Sequence, residues 1–99
     1  MLNKTNKIVK EWLEKKYKNN IIVNYTKAPH FINKKTKERF EGINLYNNTL
    51  VLWKKKLEKL QQLNATLIVV RDNNVVDNIK STEIKEKTNM YKHYTVVIV

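Results

Sequence analysis

Only one proline and one glycine occur in this chain of 99 residues, and both lie in one stretch, from Pro29 to Asn44. In so sparsely punctuated a sequence a glycine marks a position where no side chain fits or where φ must be positive. Gly42 therefore demands a close approach or a tight turn. The same stretch mixes rings with cations: His30, Phe31, Lys34, Lys35, Lys37, Arg39 and Phe40. That mixture is the chemistry that holds an unpaired nucleic-acid strand.

The rest of the chain reads as short regular elements. Ile8 and Trp12 are spaced i,i+4, as are Val9, Leu13 and Tyr17. This gives residues 3–18 the single apolar face of a helix, with Asn3, Thr5 or Asn6 as its cap. Trp12 and Tyr17 are expected to pack it onto a sheet. Residues 21–27 read as a strand, broken at Ala28-Pro29. Residues 30–33 and 39–46 form two arms around the polar tip 34–37, and Asn47-Asn48 signals a turn. Residues 49–53 are strand or helix start, with Trp53 expected in the core. Residues 54–63 are a helix with Leu57, Leu60 and Leu63 on one face. The continuous apolar run of 65–71 predicts a strand buried on both sides. Asp72-Asn73-Asn74 is a turn, 75–80 a short helix or strand, 81–89 an exposed loop and 91–99 a last strand. The predicted fold is α+β, a single domain over 1–99 with a mostly antiparallel sheet of about four to six strands packed by two helices.

Composition narrows the function. The absence of cysteine excludes disulfides, thiolate metal sites and a cysteine nucleophile. His30 and His93 are the only histidines, and no spacing indicates a zinc site. There is no paired acid and base, no Ser-His-Asp arrangement and no glycine-rich phosphate loop. The chain is expected not to be an enzyme and to need no cofactor. Its apolar runs fall far short of the ~20 residues of a membrane span, and nothing near the amino terminus reads as a signal peptide. An intracellular protein without a membrane partner is expected.

The net charge is +11, from 20 basic against 9 acidic residues, which points to a polyanionic partner. A codon bias toward Lys, Asn and Ile is the alternative source of that charge. In the nucleic-acid reading Lys27, Lys34, Lys35, Lys37 and Arg39 contact phosphates, Tyr25, Phe31 and His30 stack on bases, and Asn44 faces the ligand or satisfies a local backbone group. Phe40 serves equally well as a core residue.

The central segment resembles the amino-terminal domain of the ArdC family of plasmid and phage antirestriction proteins. That family carries an Asn, a Thr-Gly three residues on, an aromatic and then Gly-Ile-Asn. Here the register is Asn33, Thr36-Lys37, Phe40 and Gly42-Ile43-Asn44. Tyr94-Thr95-Val96 is similar to an aromatic-rich strand of the family. Lys37 replaces the usual Gly, Val97-Ile98 replace Phe-Asn, and the family's zinc-peptidase domain has no counterpart. The resemblance implies single-stranded DNA binding by a protein of a virus, phage or plasmid.

A second comparison is with PD-(D/E)xK nucleases, whose core order of strand, hairpin, strand, helix, strand is similar to residues 41–76. Glu41 would supply the first acid. Trp53 stands where a second acid should precede Lys55, so no Mg²⁺ site forms. The expected function is sequence-tolerant binding of single-stranded DNA or RNA. The alternatives are an inhibitor that binds a host defence protein and a catalytically inactive nuclease-like domain. Free edge strands leave room for a homodimer.

Overall fold

The computed structural model describes residues 2–27, 29–85, 89–91 and 93–99. Asn3 caps the first helix, α1 (Lys4–Tyr17), by accepting the amide of Asn6 on its side chain at 2.8 Å. A 3-10 turn over Lys18–Asn20 leads into β1 (Ile21–Val23). This strand is shorter than the sequence predicts. Asn24 accepts the amide and hydroxyl of Thr26 on its own side chain, and this turn chemistry stops the strand.

Next come β2 (Phe31–Asn33), β3 (Arg39–Asn44), β4 (Thr49–Leu52), α2 (Lys54–Gln62), β5 (Ala65–Arg71) and β6 (Asn74–Lys80). A 3-10 turn over Ser81–Glu83 precedes β7 (Asn89–Tyr91) and β8 (Tyr94–Ile98). Two expectations change here. Ser81 and Ile84 are buried, so the start of 81–89 is anchored instead of exposed. The last strand is a hairpin of two.

The fold is α+β. It has two sheets where one was expected. The main sheet runs β1-β2-β3-β5-β6, and a smaller one runs β4-β8-β7. Four neighbouring pairs are antiparallel, and β3 with β5 and β4 with β8 are parallel. One face of the main sheet packs on α1 through Val9, Leu13, Phe31, Phe40, Ile68 and Val70. The other packs on α2 and the small sheet through residues such as Leu57, Leu60, Leu67, Val69 and Val96. Trp12 and Tyr17 pack against the first core, as expected. Trp53 does not enter a core: it precedes α2 and is 65% exposed. No helix among the described residues is long and apolar enough to cross a membrane.

Gly42 sits inside β3 without positive φ. Its role is the close approach of α1. A Cβ there would lie 2.5 Å from Asn6 Oδ1 and 2.9 Å from Val9 Cγ2, both on the helix. Gly42→Ala should therefore push α1 off the sheet and lower stability by about 1–3 kcal/mol, as overpacking does. Urea unfolding followed by circular dichroism measures this.

Candidate nucleic-acid interface

The β2–β3 hairpin is built by its polar tip. Asn33 Oδ1 accepts the amides of Lys35 at 2.9 Å and Thr36 at 3.1 Å, and its carbonyl accepts the Lys37 amide at 2.7 Å. Thr36 Oγ1 accepts the Glu38 amide. Lys37 closes the loop at φ 67°, in the left-handed region that glycine or asparagine occupies at least cost. The Lys34 amide donates to the Asn20 carbonyl at 2.6 Å, which ties the tip to the turn after α1.

Topology then adds cations to this end. Because β3 and β5 are parallel, both begin beside the tip, and β6 ends there with Lys80 opposite Thr66. Lys37, Arg39 and Lys80, with Thr36, Glu38, Asn64 and Thr66, line an open depression of about 470 Å³. Arg39 Nη1 donates to the Leu63 carbonyl at the end of α2 at 2.8 Å, and Thr66 Oγ1 donates to Glu38. Arg39 thus braces α2 against β3 as well as carrying charge. Lys18, two residues before Asn20, completes the group.

The nine residues named from the sequence do not form one surface. Lys34, Lys35, Lys37 and Arg39 gather at the tip. Asn44 is exposed at the opposite end of β3, about 17 Å away at the usual rise per residue. Tyr25 and Lys27 lie in the exposed loop after β1, also at that far end, where Tyr25 shares a pocket with Leu2, Lys7, Lys10 and Glu11.

The stacking roles given to Phe31 and His30 are corrected. Phe31 is fully buried, because it pairs across the strands with Phe40 on the face that α1 covers. His30 points to the other face, with Nδ1 2.8 Å from both carboxylate oxygens of buried Glu41. Its side chain is 21% exposed and committed to that pair, so it offers no open platform for a base. Glu41 also accepts the Gly42 amide at 3.2 Å.

Lys18 and Lys80 were missed by sequence reasoning. Lys18 read only as a helix end, and Lys80 joins the tip only through the parallel pairing of β3 with β5. Among the described residues no group of three His, Asp or Glu side chains is placed to hold a metal ion.

No protein-family model matches the chain, and neither does any curated protein or solved structure. Several residues that carry the ArdC-like pattern have visible structural roles here. Asn33 and Thr36 shape the tip, Lys37 supplies its left-handed turn, Phe40 fills the core and Gly42 admits α1.

Seven described non-glycine residues have positive φ. Five are Asn or Asp, the residues that tolerate it best. The other two are Lys18, at φ 54° and ψ −123°, and Lys37, and both lie at the tip end. Lys18→Gly and Lys37→Gly should each raise stability by about 1 kcal/mol, the left-handed penalty of a side chain less the flexibility glycine adds to the unfolded chain. Thermal and urea unfolding of both variants check this.

Proposed function

We propose that this protein binds nucleic acid along its sugar-phosphate backbone, with little regard to sequence, through the lysine-bearing end of the main sheet. The observation that carries this reading is the placement of Lys18 and Lys37. Each holds a positive-φ conformation that Gly would adopt at lower cost, and each adds a cation to the same end as Lys34, Lys35 and Lys80. Strained positions of this kind concentrate where function outweighs local preference. Phosphate contacts of lysine are sequence-tolerant. With Phe31 in the core, this end has no named stacking ring, so the single-strand binding expected from the sequence loses its main support.

The strand arrangement favours a second, compatible reading, a nuclease-like scaffold without a metal site. A hairpin, β2–β3, lies beside a strand, β5, that is parallel to β3 and reached through a helix. The register inferred from residues 41–76 is corrected. β4 leaves the main sheet for β8, and Lys55 lies in α2 and not on a strand. Glu41 is the one acid on β3, and its carboxylate is taken by His30. Incubation with plasmid and Mg²⁺ is expected to give no nicking. Nicking lost in Glu41→Gln would sink this second reading.

Fluorescence anisotropy with labelled thirty-mers tests the binding. If about five cations engage phosphates, the log–log salt slope should be near −3.5 for a single strand and −4.5 for a duplex. Replacing Lys34, Lys35 and Lys37 together by Ala should weaken binding at least tenfold at low salt and shrink the slope by roughly 2–3. Replacing Lys54, Lys55 and Lys56, at the other end of α2, should leave both nearly unchanged. Equal losses from the two triple variants would reduce the interaction to diffuse charge and overturn the proposal.

A further inference from the structure

The small sheet has an inner face in the core and an outer face that no described residue covers. Register places Thr49 and Val51 of β4, Thr95 and Val97 of β8 and Met90 of β7 on the outer face. The contact of Thr95 Oγ1 with Met90 Sδ at 3.2 Å agrees. Trp53 continues the alternation of β4, and Tyr46 is bridged to Thr49. Four of these side chains are large and open: Tyr46 is 77% exposed, Trp53 65%, Met90 71% and Val51 45%. Val76, on β6 of the main sheet, is 39% exposed and lies off this face.

We infer that this face is a self-association surface, and that its occupant is the same face of a second copy. Charge is the first reason. The chain carries +11, yet none of the described residues on this face is charged. A nucleic acid or an acidic protein would be drawn to surfaces that bear cations. Two copies of a strongly basic chain repel, and the described side chains of this face can meet without opposing lysine to lysine. Residue type is the second reason. Trp, Tyr and Met are enriched at interface centres, and Lys, Glu and Asp are depleted there.

Area is the third reason. At 150–250 Å² for each large aromatic, the exposed rings, Met90 and Val51 offer roughly 500 Å² per copy, so a pair buries about 1,000 Å², the low end of specific interfaces. The contact is a weak, symmetric dimer. It is independent of the nucleic-acid reading and has the opposite response to salt. Salt screens the repulsion between copies and strengthens pairing, whereas it weakens phosphate contacts.

Sedimentation equilibrium of the full chain without nucleic acid tests this. The wild type should move from mostly monomer at micromolar concentration to dimer near 100 μM, with the association constant rising on the order of tenfold between 0.05 and 0.5 M NaCl. Val51→Lys and Met90→Lys should each abolish pairing, and Val76→Lys should not, with unchanged circular dichroism in all three. A wild type that stays monomeric at both salt concentrations overturns the inference. So does pairing that persists in both Val51→Lys and Met90→Lys.

Discussion

The pairing of β5 on both edges, with burial on both faces, is the constraint from which the rest of the architecture follows. Six consecutive side chains, Ala65 to Val70, are buried. Leu67 and Val69 point into the core under α2 and the small sheet, and Ile68 and Val70 into the core under α1. At about 1.5–3 kcal/mol for each fully buried aliphatic side chain, this strand contributes to both cores at once. Its parallel partner β3 cannot be joined to it by a tight turn, so the connection has to cross over the sheet. That crossover holds β4 and α2. The Asn47-Asn48 turn does not fold β4 back along β3 beyond the Tyr46–Thr49 bridge, and β4 finds its partner in β8.

The same pairing decides where charge and rings end up. Strand direction brings the start of β3, the start of β5 and the end of β6 together, and these positions carry Arg39, Asn64 to Thr66 and Lys80. The hairpin tip and the turn after α1 close over them, joined by the bond from Lys34 to Asn20. Once α1 lies on the sheet at Gly42, the face holding Phe31 and Phe40 has no route to solvent. Tyr17 stacks beside Phe40 with ring centroids 5.7 Å apart, completing an aromatic layer that belongs to the core. Rings and cations that are close in sequence are thus sorted apart: β3 sends its neighbours Arg39 and Phe40 to opposite faces, and Lys34, Lys35 and Lys37 stand in the turn beyond the strands.

What the sequence revealed follows this division between local and remote causes. The helix over Lys4–Tyr17, the arms of the β2–β3 hairpin, α2 and the buried β5 were legible from spacing and turn residues, since each is set by interactions within a few positions. Gly42 was legible as a close approach or a tight turn, and only the contact with α1 decides for the first. Three features were hidden: the second sheet, the parallel pairing of β4 with β8, and the division of the last strand at the β7–β8 turn. All rest on contacts between segments far apart in the chain. Trp53 looked like a core residue because it ends an apolar run, yet strand alternation continued from β4 turns it outward. For the candidate interface, Lys34, Lys35, Lys37 and Arg39 were readable as a group because one hairpin carries them. Lys18 and Lys80 were not, because only tertiary structure places them there.

A codon bias toward Lys, Asn and Ile is an alternative source of the charge, but it does not account for this sorting. A bias that disfavours glycine leaves the chain to fill its left-handed positions with something else. At Asn47, Asn48, Asn64 and Asn73 it uses asparagine, which the same bias supplies freely and which tolerates that conformation. Asparagine would serve at position 37, and glycine at position 18, where ψ is −123°. Lysine stands there instead, at a cost of about 1–2 kcal/mol each, a large fraction of the marginal stability of a domain this size. Both exceptions fall at the end of the sheet where Lys34, Lys35 and Lys80 already gather. A compositional drift would scatter such costs over the molecule, and here both fall at one end of the main sheet.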